Sequence, residues 1–246
     1  MSTSRLRSAP GRSAPFPRPV LSGRFTTILV ATALALTLGA CANTTPTPGG
    51  PLPLVPDQPP AGIDPSTGGT CVLTGDAFDD DVTVPANMTC SFTNVAIDGN
   101  LVIAHGAEVT SDGGMVGGNV LVYPNATYDA SGTAVGGNVQ AARATKVQLV
   151  TTAVNGNVQS EESSAVSMLA GTVGGDIQPD DGGSVDIDGV FVDGNVQVYD
   201  NTGGVAILNN EIGGNLQCEG NVPAPTGGNN VVHGSAEDQC EGLAVP

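Results

Sequence analysis

The residues with the clearest potential for chemistry are two groups of aspartates. Carboxylates held within a few ångströms of one another bind Ca²⁺ or share protons. Neither group has the spacing of an EF-hand loop or of the GGxGxD nonapeptide, so we expect an acidic surface, at most weak Ca²⁺ binding and no dedicated metal site. The groups are the run Asp79, Asp80 and Asp81, and the set Asp180, Asp181, Asp186, Asp188 and Asp193.

Few basic side chains are available to work beside these carboxylates. Polysaccharide-cleaving sites of parallel β-helices hold a Lys or Arg beside several aspartates, as base or charge neutraliser. Arg143 and Lys146 are the only basic residues after Cys41, and both lie in the stretch ARATKV. We interpret them as solvated surface residues, and we expect no enzymatic activity and no cofactor.

The other reactive residue types lack suitable partners. His105 and His233 lie far apart, with no cysteine expected to be free to complete a zinc site. No G-x-S-x-G nucleophile elbow is present. Sugar binding favours exposed aromatic platforms, but the chain has no tryptophan, and Tyr123 and Tyr199 lie too far apart to stack on one ring.

The first 40 residues have the composition of an export signal. They contain five arginines, no acidic residue and an apolar run from Thr26 to Ala40, which is shorter than the ~20 residues of a spanning helix. We therefore predict a secretory signal peptide over residues 1–40. The stretch LGAC resembles the bacterial lipobox, and this resemblance implies that Cys41 is lipidated. The alternative is an ordinary cleaved signal followed by an unrelated cysteine.

Residues 42–69 carry eight prolines and no periodic apolar pattern. A segment of this kind is predicted to be an extended tether, reaching roughly 85 Å at ~3.1 Å per residue. All 24 acidic residues but only two of the seven basic ones follow Cys41, so the charge from Cys41 onward is −22. This charge repels phosphates and anionic headgroups, so we expect no nucleic-acid partner and membrane attachment only through the lipid.

A Gly-Asn or Gly-Asp pair recurs seven times between Gly99 and Asn215, five times at an interval of 19 residues and once at 20. Rows of 19 residues also align apolar residues in columns. One column is Val82, Leu101, Val120, Val139, Val158, Ile177, Val196 and Leu216; another is Phe78, Ile97, Val116, Val135, Val154, Val173, Val192 and Ile212. A less strict third column begins with Cys71 and Cys90 and continues through Val109 and Tyr128.

Within each row the local apolar period is two, and β-branched residues dominate, which indicates strands. A row this short cannot bury its own apolar face, but it can form one turn of a stack. We therefore predict an all-β fold: a single-stranded parallel β-helix, or β-solenoid, of about nine ~19-residue coils. It occupies residues 70–246 as one domain, on the order of 40 Å long at ~4.8 Å per coil.

The asparagine of each pair can form a ladder of side-chain amides along the stack. We expect this ladder to be structural if it faces the corner, and a candidate ligand site if it faces solvent. Its members are Asn100, Asn119, Asn138, Asn157, Asn195 and Asn215. Glycine before it permits the tight or positive-φ backbone that a corner needs.

Besides Cys41 the chain has four cysteines, an even number in a predicted exported chain, so two disulfides are expected. Cys71 and Cys90 are 19 residues apart in one column, where ~4.8 Å between coils fits a disulfide. Cys218 and Cys240 are 22 apart, near one coil. We predict these two bonds, one at each end of the stack.

The row pattern around VGGNVQ resembles the bactofilin-type bacterial β-helices, over most of residues 80–243. The closing segment, residues 212–243, looks like that of bacterial exported repeat proteins. Bactofilins are cytosolic scaffolds that polymerise end to end without a nucleotide; this chain departs from them in its predicted signal, lipid anchor and terminal disulfides. The resemblance implies architecture more than activity.

Together these features predict an extracytoplasmic, membrane-anchored lipoprotein of the cell envelope, acting as a structural or interaction module without catalysis. Its expected partners are the membrane, through the lipid, and a protein or glycan of the envelope. The alternative function is a β-helix that binds or degrades cell-envelope polysaccharide.

Overall fold

The computed structural model describes Ile63 and residues 69–245. The predicted signal peptide, Cys41 and most of the predicted tether lie outside the described residues. Within the described range the chain forms 24 strands and a 3₁₀ turn, Glu241–Leu243. No helix of this range is long and apolar enough to cross a membrane.

The strands divide into nine coils. The first four coils have three strands each: β1 (Thr70–Thr74), β2 (Ala77–Phe78), β3 (Val82–Val84); β4 (Thr89–Thr93), β5 (Ala96–Ile97), β6 (Leu101–Ile103); β7 (Glu108–Asp112), β8 (Met115–Val116), β9 (Val120–Val122); β10 (Thr127–Ser131), β11 (Ala134–Val135), β12 (Val139–Ala142). The next three have two: β13 (Lys146–Val154), β14 (Val158–Glu161); β15 (Ala165–Val173), β16 (Ile177–Asp180); β17 (Ser184–Val192), β18 (Val196–Tyr199). The last two again have three: β19 (Val205–Leu208), β20 (Glu211–Ile212), β21 (Leu216–Glu219); β22 (Thr226–Gly228), β23 (Val231–Val232), β24 (Ala236–Asp238).

Each strand pairs in parallel with its equivalents in the neighbouring coils. The last strand of every coil belongs to a nine-stranded sheet that runs from β3 to β24. The other strands form a 15-stranded sheet, in which β13 pairs with both β10 and β11 because the first two strands have merged. The predicted β-solenoid of about nine coils is confirmed.

Every coil bends at a residue in the left-handed conformation, between its first two strands or inside the merged strand. Glycine suits this position because it has no Cβ, and asparagine tolerates it. The column is Gly75, Asn94, Gly113, Gly132, Thr151, Ala170, Gly189, Asn209 and Asn229, with φ between 48° and 69°. At Thr151 and Ala170 the stack imposes a conformation that the residue type disfavours.

The core consists of the predicted apolar columns. Every member of the column that begins at Val82 is at most 1% exposed. The column that begins at Phe78 is buried from Ile97 onward, whereas Phe78 itself, in the first coil, is only partly buried. Because strand residues alternate between faces, the neighbours of these residues point outward.

A disulfide and further packing contacts lie near each end of the solenoid. Cys71 is bonded to Cys90, with 4.5 Å between Cα atoms, and Cys218 to Cys240, with 5.3 Å. These are the two pairs that the repeat spacing predicts. At the C-terminal end, Leu243 of the 3₁₀ turn packs in the core. Ile63, which lies in the predicted tether, is also a core residue and is 2% exposed.

Candidate functional site

The asparagine column forms a hydrogen-bonded ladder along the rod. Each side-chain Oδ1 accepts the backbone N–H of the equivalent residue in the next coil, as Asn119 does from Asn138 and Asn138 from Asn157, both at 2.8 Å. The series starts at Asp81, includes Asp176 and ends on the backbone of Ser235. Because backbone donors occupy its oxygens, the ladder is structural.

The glycines before these asparagines are required by close contact between coils. None of these glycines has a positive φ, so a left-handed backbone is not the reason for them. The reason is the lack of space at the tight corner. A Cβ built on Gly118 would lie 2.6 Å from Oδ1 of Asn100 and 2.8 Å from the carbonyl oxygen of Gly99. Glycine therefore makes room for the ladder of the coil before it.

A second ladder, which the sequence analysis did not identify, lies on the outer face of the nine-stranded sheet. Each glutamine donates its Nε2–H to the side-chain oxygen of the next coil, over distances from 2.7 to 3.1 Å. Its members are Gln140, Gln159, Gln178, Gln197, Gln217 and Glu237. The available signal was a Gln that recurs two residues after the Asn or Asp of the repeated pair, at an interval of 19 from Gln140 to Gln197.

Two short ladders of buried asparagines lie in the last coils. Asn201 and Asn221 are each 1% exposed, and Oδ1 of Asn221 accepts the N–H of Asn201 at 3.0 Å. Asn210 and Asn230 repeat this arrangement at another corner, also at 3.0 Å. The Asn230 side chain also donates to the carbonyl of Leu243 at 2.9 Å. These amides replace backbone partners that the corners lack.

Carboxylates gather at the corner that follows the nine-stranded sheet. We define this acidic corner by Glu161, Glu162, Asp180, Asp181, Asp200 and Glu219. Strand register places Glu161 beside Asp180, and Asp180 beside Tyr199. Asp181 and Asp200 come directly after Asp180 and Tyr199, and both have a left-handed backbone conformation with φ of 52°. The corner spans four coils, or roughly 15 Å.

Three of these carboxylates converge. Oxygens of Asp180, Asp181 and Asp200 lie within 4.8 Å of one another, and all three residues are exposed. This is the one group among the described residues with three potential metal-ligand atoms so close together. Ca²⁺ takes 6–8 oxygens, so three water-exposed carboxylates supply only part of a coordination shell.

The electrostatic effect of this crowding is visible at Asp180. Partial burial raises the pKa of its carboxyl group above the usual value, and the charges of Asp181, Asp200 and Glu161 raise it further. A hydrogen bond from the backbone of Asp181 acts in the opposite direction. Like charges disfavour each other's ionised form, which is the expected response of stacked carboxylates.

An open groove of about 410 Å³ lies against this corner. It is lined by Asp180, Tyr199, Asp200, Glu219 and Gly220. The Tyr199 hydroxyl lies 3.2 Å from Nε2 of Gln197 and 3.4 Å from Oε1 of Gln217, so the tyrosine is linked to the glutamine ladder. The groove therefore combines carboxylates with one aromatic ring, and the hydroxyl of that ring contacts the glutamine ladder.

The structure divides the aspartates that the sequence analysis grouped. Asp180 and Asp181 are brought together with Asp200, which that analysis did not include although it stands 19 residues after Asp181. Asp186 and Asp188 lie on β17 in the other sheet, where burial and the charge of Asp188 raise the pKa of Asp186. In the first coil, Oδ1 of Asp81 accepts the N–H of Asn100 at 2.7 Å and so belongs to the asparagine ladder.

Lys146 and the two histidines have local partners. Nζ of Lys146 lies 2.7 Å from Oδ1 of Asp129. Nε2 of His105 lies 3.0 Å from Nδ2 of Asn125, and Nε2 of His233 lies 3.4 Å from Oε1 of Glu211. These contacts join different coils and involve none of the acidic-corner residues.

Comparison of the chain with protein-family models, with curated proteins and with solved structures finds no match in any of the three. The class of protein is therefore defined by its own geometry. The described part is a disulfide-stapled parallel β-solenoid whose coils are joined by amide ladders and which carries one acidic corner.

Proposed function

We propose that this protein is a lipid-anchored extracytoplasmic structural or interaction module with no catalysis. It would hold a rigid acidic rod outside the membrane and present side chains at the regular spacing of the coils. The observation that carries this proposal is the asparagine ladder, which continues from Asp81 to Ser235 and joins each coil to the next.

The location is supported by the disulfides and by the N-terminal sequence. Disulfides persist in oxidising compartments, which suits a protein outside the cytoplasm. Lipidation at Cys41, behind the predicted signal over residues 1–40, would fix the chain to the membrane. Replacement Cys41→Ser in the full chain should move the protein from the membrane fraction to the soluble fraction; unchanged membrane association would contradict the anchor.

The interaction role is tested at the acidic corner. The full chain and the variant Asp180→Asn/Asp181→Asn/Asp200→Asn are compared for envelope partners retained with Ca²⁺ and with chelator. The matched control neutralises Asp186, Asp188 and Asp193, which lie outside the acidic corner, in the same way. Loss of a partner in the first variant alone supports the corner as the interaction site, whereas equal retention by all three proteins argues against it.

The groove at the acidic corner favours a second candidate function, the binding of an envelope polysaccharide. Tyr199 offers an aromatic ring beside the carboxylates of Asp200 and Glu219, a combination suited to sugar rings and hydroxyls. A glycan panel measured with the wild type and with Tyr199→Ala tests this candidate. Binding that the variant loses supports it, and absence of binding across the panel counts against it. A fall in the viscosity of the polysaccharide during incubation with the protein would show that the protein degrades the polymer as well as binding it.

A further inference from the structure

The outer face of the nine-stranded sheet is uncharged over its first four coils. Its central column there is Thr83, Val102, Leu121 and Gln140, one residue from each of β3, β6, β9 and β12. The residues on either side of this column, such as Leu101 and Ile103, fill the core. Strand alternation therefore directs the column away from the core. We call these four residues the apolar face.

The side chains of the apolar face are buried although they point outward. Val102 is 4% exposed, Leu121 8% and Gln140 5%. In the following coils of the same column, Gln159, Gln178, Gln197 and Gln217 are only partly buried. Every described strand belongs to one of the two sheets, so no described strand lies over this face. Tyr123 directly follows β9, and burial raises the pKa of its hydroxyl group.

A polar atom at the edge of this face lacks a partner. Oε1 of Gln140 is buried and accepts no hydrogen bond, whereas Oε1 of Gln159, Gln178 and Gln197 each accepts one from the preceding glutamine. Gln140 cannot receive such a bond because the residue before it in the column is Leu121. A buried acceptor without a donor is unfavourable, so a segment that covers the face with a free N–H would be stabilised there.

We propose that residues 51–62 of this same chain, PLPLVPDQPPAG, dock in extended form on the apolar face. Ile63 follows this segment directly and is buried in the core, so the chain already contacts the solenoid there. Ile63 precedes Thr70 by seven residues and lies within about 25 Å of it, near the end that carries the apolar face. At ~3.1 Å per residue the segment can pass the roughly 14 Å between Thr83 and Gln140.

The composition of the segment suits this face. Leu52, Leu54 and Val55 would supply apolar side chains, and each of them, unlike proline, carries a backbone N–H that could donate to Gln140. The segment contains five prolines, a composition that predicts an extended chain before binding and would lower the entropy lost on docking. Docking would leave the nine residues 42–50 as tether after Cys41, a reach of ~28 Å. The outer face of the 15-stranded sheet would then remain open to partners.

Photo-cross-linking of the full chain tests this assignment. A p-benzoylphenylalanine in place of Leu54 is irradiated, and the linked peptides are mapped by mass spectrometry. We expect intramolecular links to the peptide that contains Val102 and Leu121, reduced at least tenfold by Leu121→Asp. The matched control Phe191→Asp makes the same change at a 43% exposed position of the other sheet, and it should leave the links unchanged.

Other occupants of the face give different products. Links between two chains would assign the face to a second copy, links to lipid would assign it to the membrane, and either result overturns the proposal, as does the absence of links to this face. If thermal melting shows that Leu121→Asp is unfolded, the probe is moved to Leu121 and the acidic change to Leu54, which lies outside the coils. If cross-links from the probe at Leu121 to residues 51–62 were unchanged by Leu54→Asp, that result would also overturn the proposal.

Discussion

Oδ1 of Asn138 accepts the backbone N–H of Asn157, 19 residues later, at 2.8 Å. Nδ2 of the same Asn138 donates to Oδ1 of Asn119 in the preceding coil at 3.1 Å. One side chain thus joins three successive coils at a corner where the strands of the sheets have ended. The repeated Gly-Asn pair is explained by this contact: the asparagine makes the bond and the glycine leaves space for it.

Removal of one rung should destabilise the rod. In Asn138→Ala the N–H of Asn157 loses its acceptor, and we expect a loss of about 1–3 kcal/mol in the free energy of unfolding. Asn138→Asp keeps the accepting oxygen, as Asp176 does naturally, and should cost less than half as much. Denaturant unfolding of both variants measures the difference. Both variants lose the bond from Nδ2 to Asn119, so equal losses would show that this bond, rather than the accepting oxygen, provides the stabilisation.

A methyl group at the ladder corner should not be tolerated. A Cβ on Gly175 would overlap Oδ1 of Asn157, so we expect Gly175→Ala to cost about 1–3 kcal/mol through overpacking. Gly242→Ala is the control, because a Cβ there meets nothing within 4 Å. Its effect should stay within about 0.5 kcal/mol. Thermal melting of the two variants distinguishes steric overlap from a general intolerance of alanine.

Loss of the C-terminal disulfide should loosen that end of the solenoid. For Cys218→Ser/Cys240→Ser we expect a loss of about 3 kcal/mol, from the entropy of the 22-residue loop that the bond closes. Hydrogen exchange should increase mainly in β21 and β24, because each coil contacts only its neighbours. Exchange in β13, near the middle of the rod, should stay unchanged. Faster hydrogen exchange to the same extent in all coils would contradict a local effect of the disulfide.

Neutralisation of Asp180 should stabilise the protein at neutral pH and not in acid. The pKa of Asp180 is raised in the folded state, so its ionisation above its ordinary value of 3.8 opposes folding. Relief of a like-charge pair across strands contributes roughly 0.2–1 kcal/mol. Asp180→Asn should therefore melt higher than the wild type at pH 7, and at the same temperature well below pH 3.8, where the carboxyl group of the wild type is protonated in both states.

Asp112→Asn is the control for this pH dependence. Asp112 pairs with the neutral residues Thr93 and Ser131 in the adjacent strands, so its neutralisation removes a charge without relieving a like-charge pair. A gain in melting temperature at pH 7 as large as that of Asp180→Asn would show that net charge, rather than the acidic corner, is responsible.

The closed C-terminal end should keep the protein from polymerising. N–H of Val245 donates to the carbonyl of Asn230 at 2.8 Å, and Ala244 forms a parallel bridge with Asn230, so this part of the last coil's edge is covered. Exposed edges template strand pairing, so a covered edge opposes end-to-end assembly. We expect a single species of monomer mass in sedimentation velocity. Filaments, as the resemblance to bactofilins would imply, would contradict this expectation.

Repeat length made much of the fold predictable. Where coils have equal length, residues 19 apart must share a column whatever the details of the backbone. The column that begins at Val82, the coil number and the Cys71–Cys90 pair follow from that rule. The Cys218–Cys240 pair spans 22 residues and was predicted only because that separation is close to one coil. The signal peptide and the lipidation of Cys41 rest on local composition and stay predictions, because they lie outside the described residues.

The candidate site was less predictable than the fold. Asp186, Asp188 and Asp193 stand near Asp180 in sequence, but a strand and a corner intervene and place them elsewhere on the coil. Asp200 is more distant in sequence and lies one coil away from Asp181, so it completes the cluster. In a solenoid, residues separated by one full coil lie close together. Comparison of residues 19 positions apart would therefore have identified Asp200 as a neighbour of Asp181.

The sequence by itself thus determined the period, the columns and the pairs of residues that meet between coils, since these depend only on spacing. The tertiary structure alone decided where the amides point, which glycines are needed for space, and that Thr151 and Ala170 adopt left-handed backbone. Side-chain direction depends on the dihedral angles at each corner and on contacts with the coil ~4.8 Å away. Neither quantity is contained in the order of residues along one row.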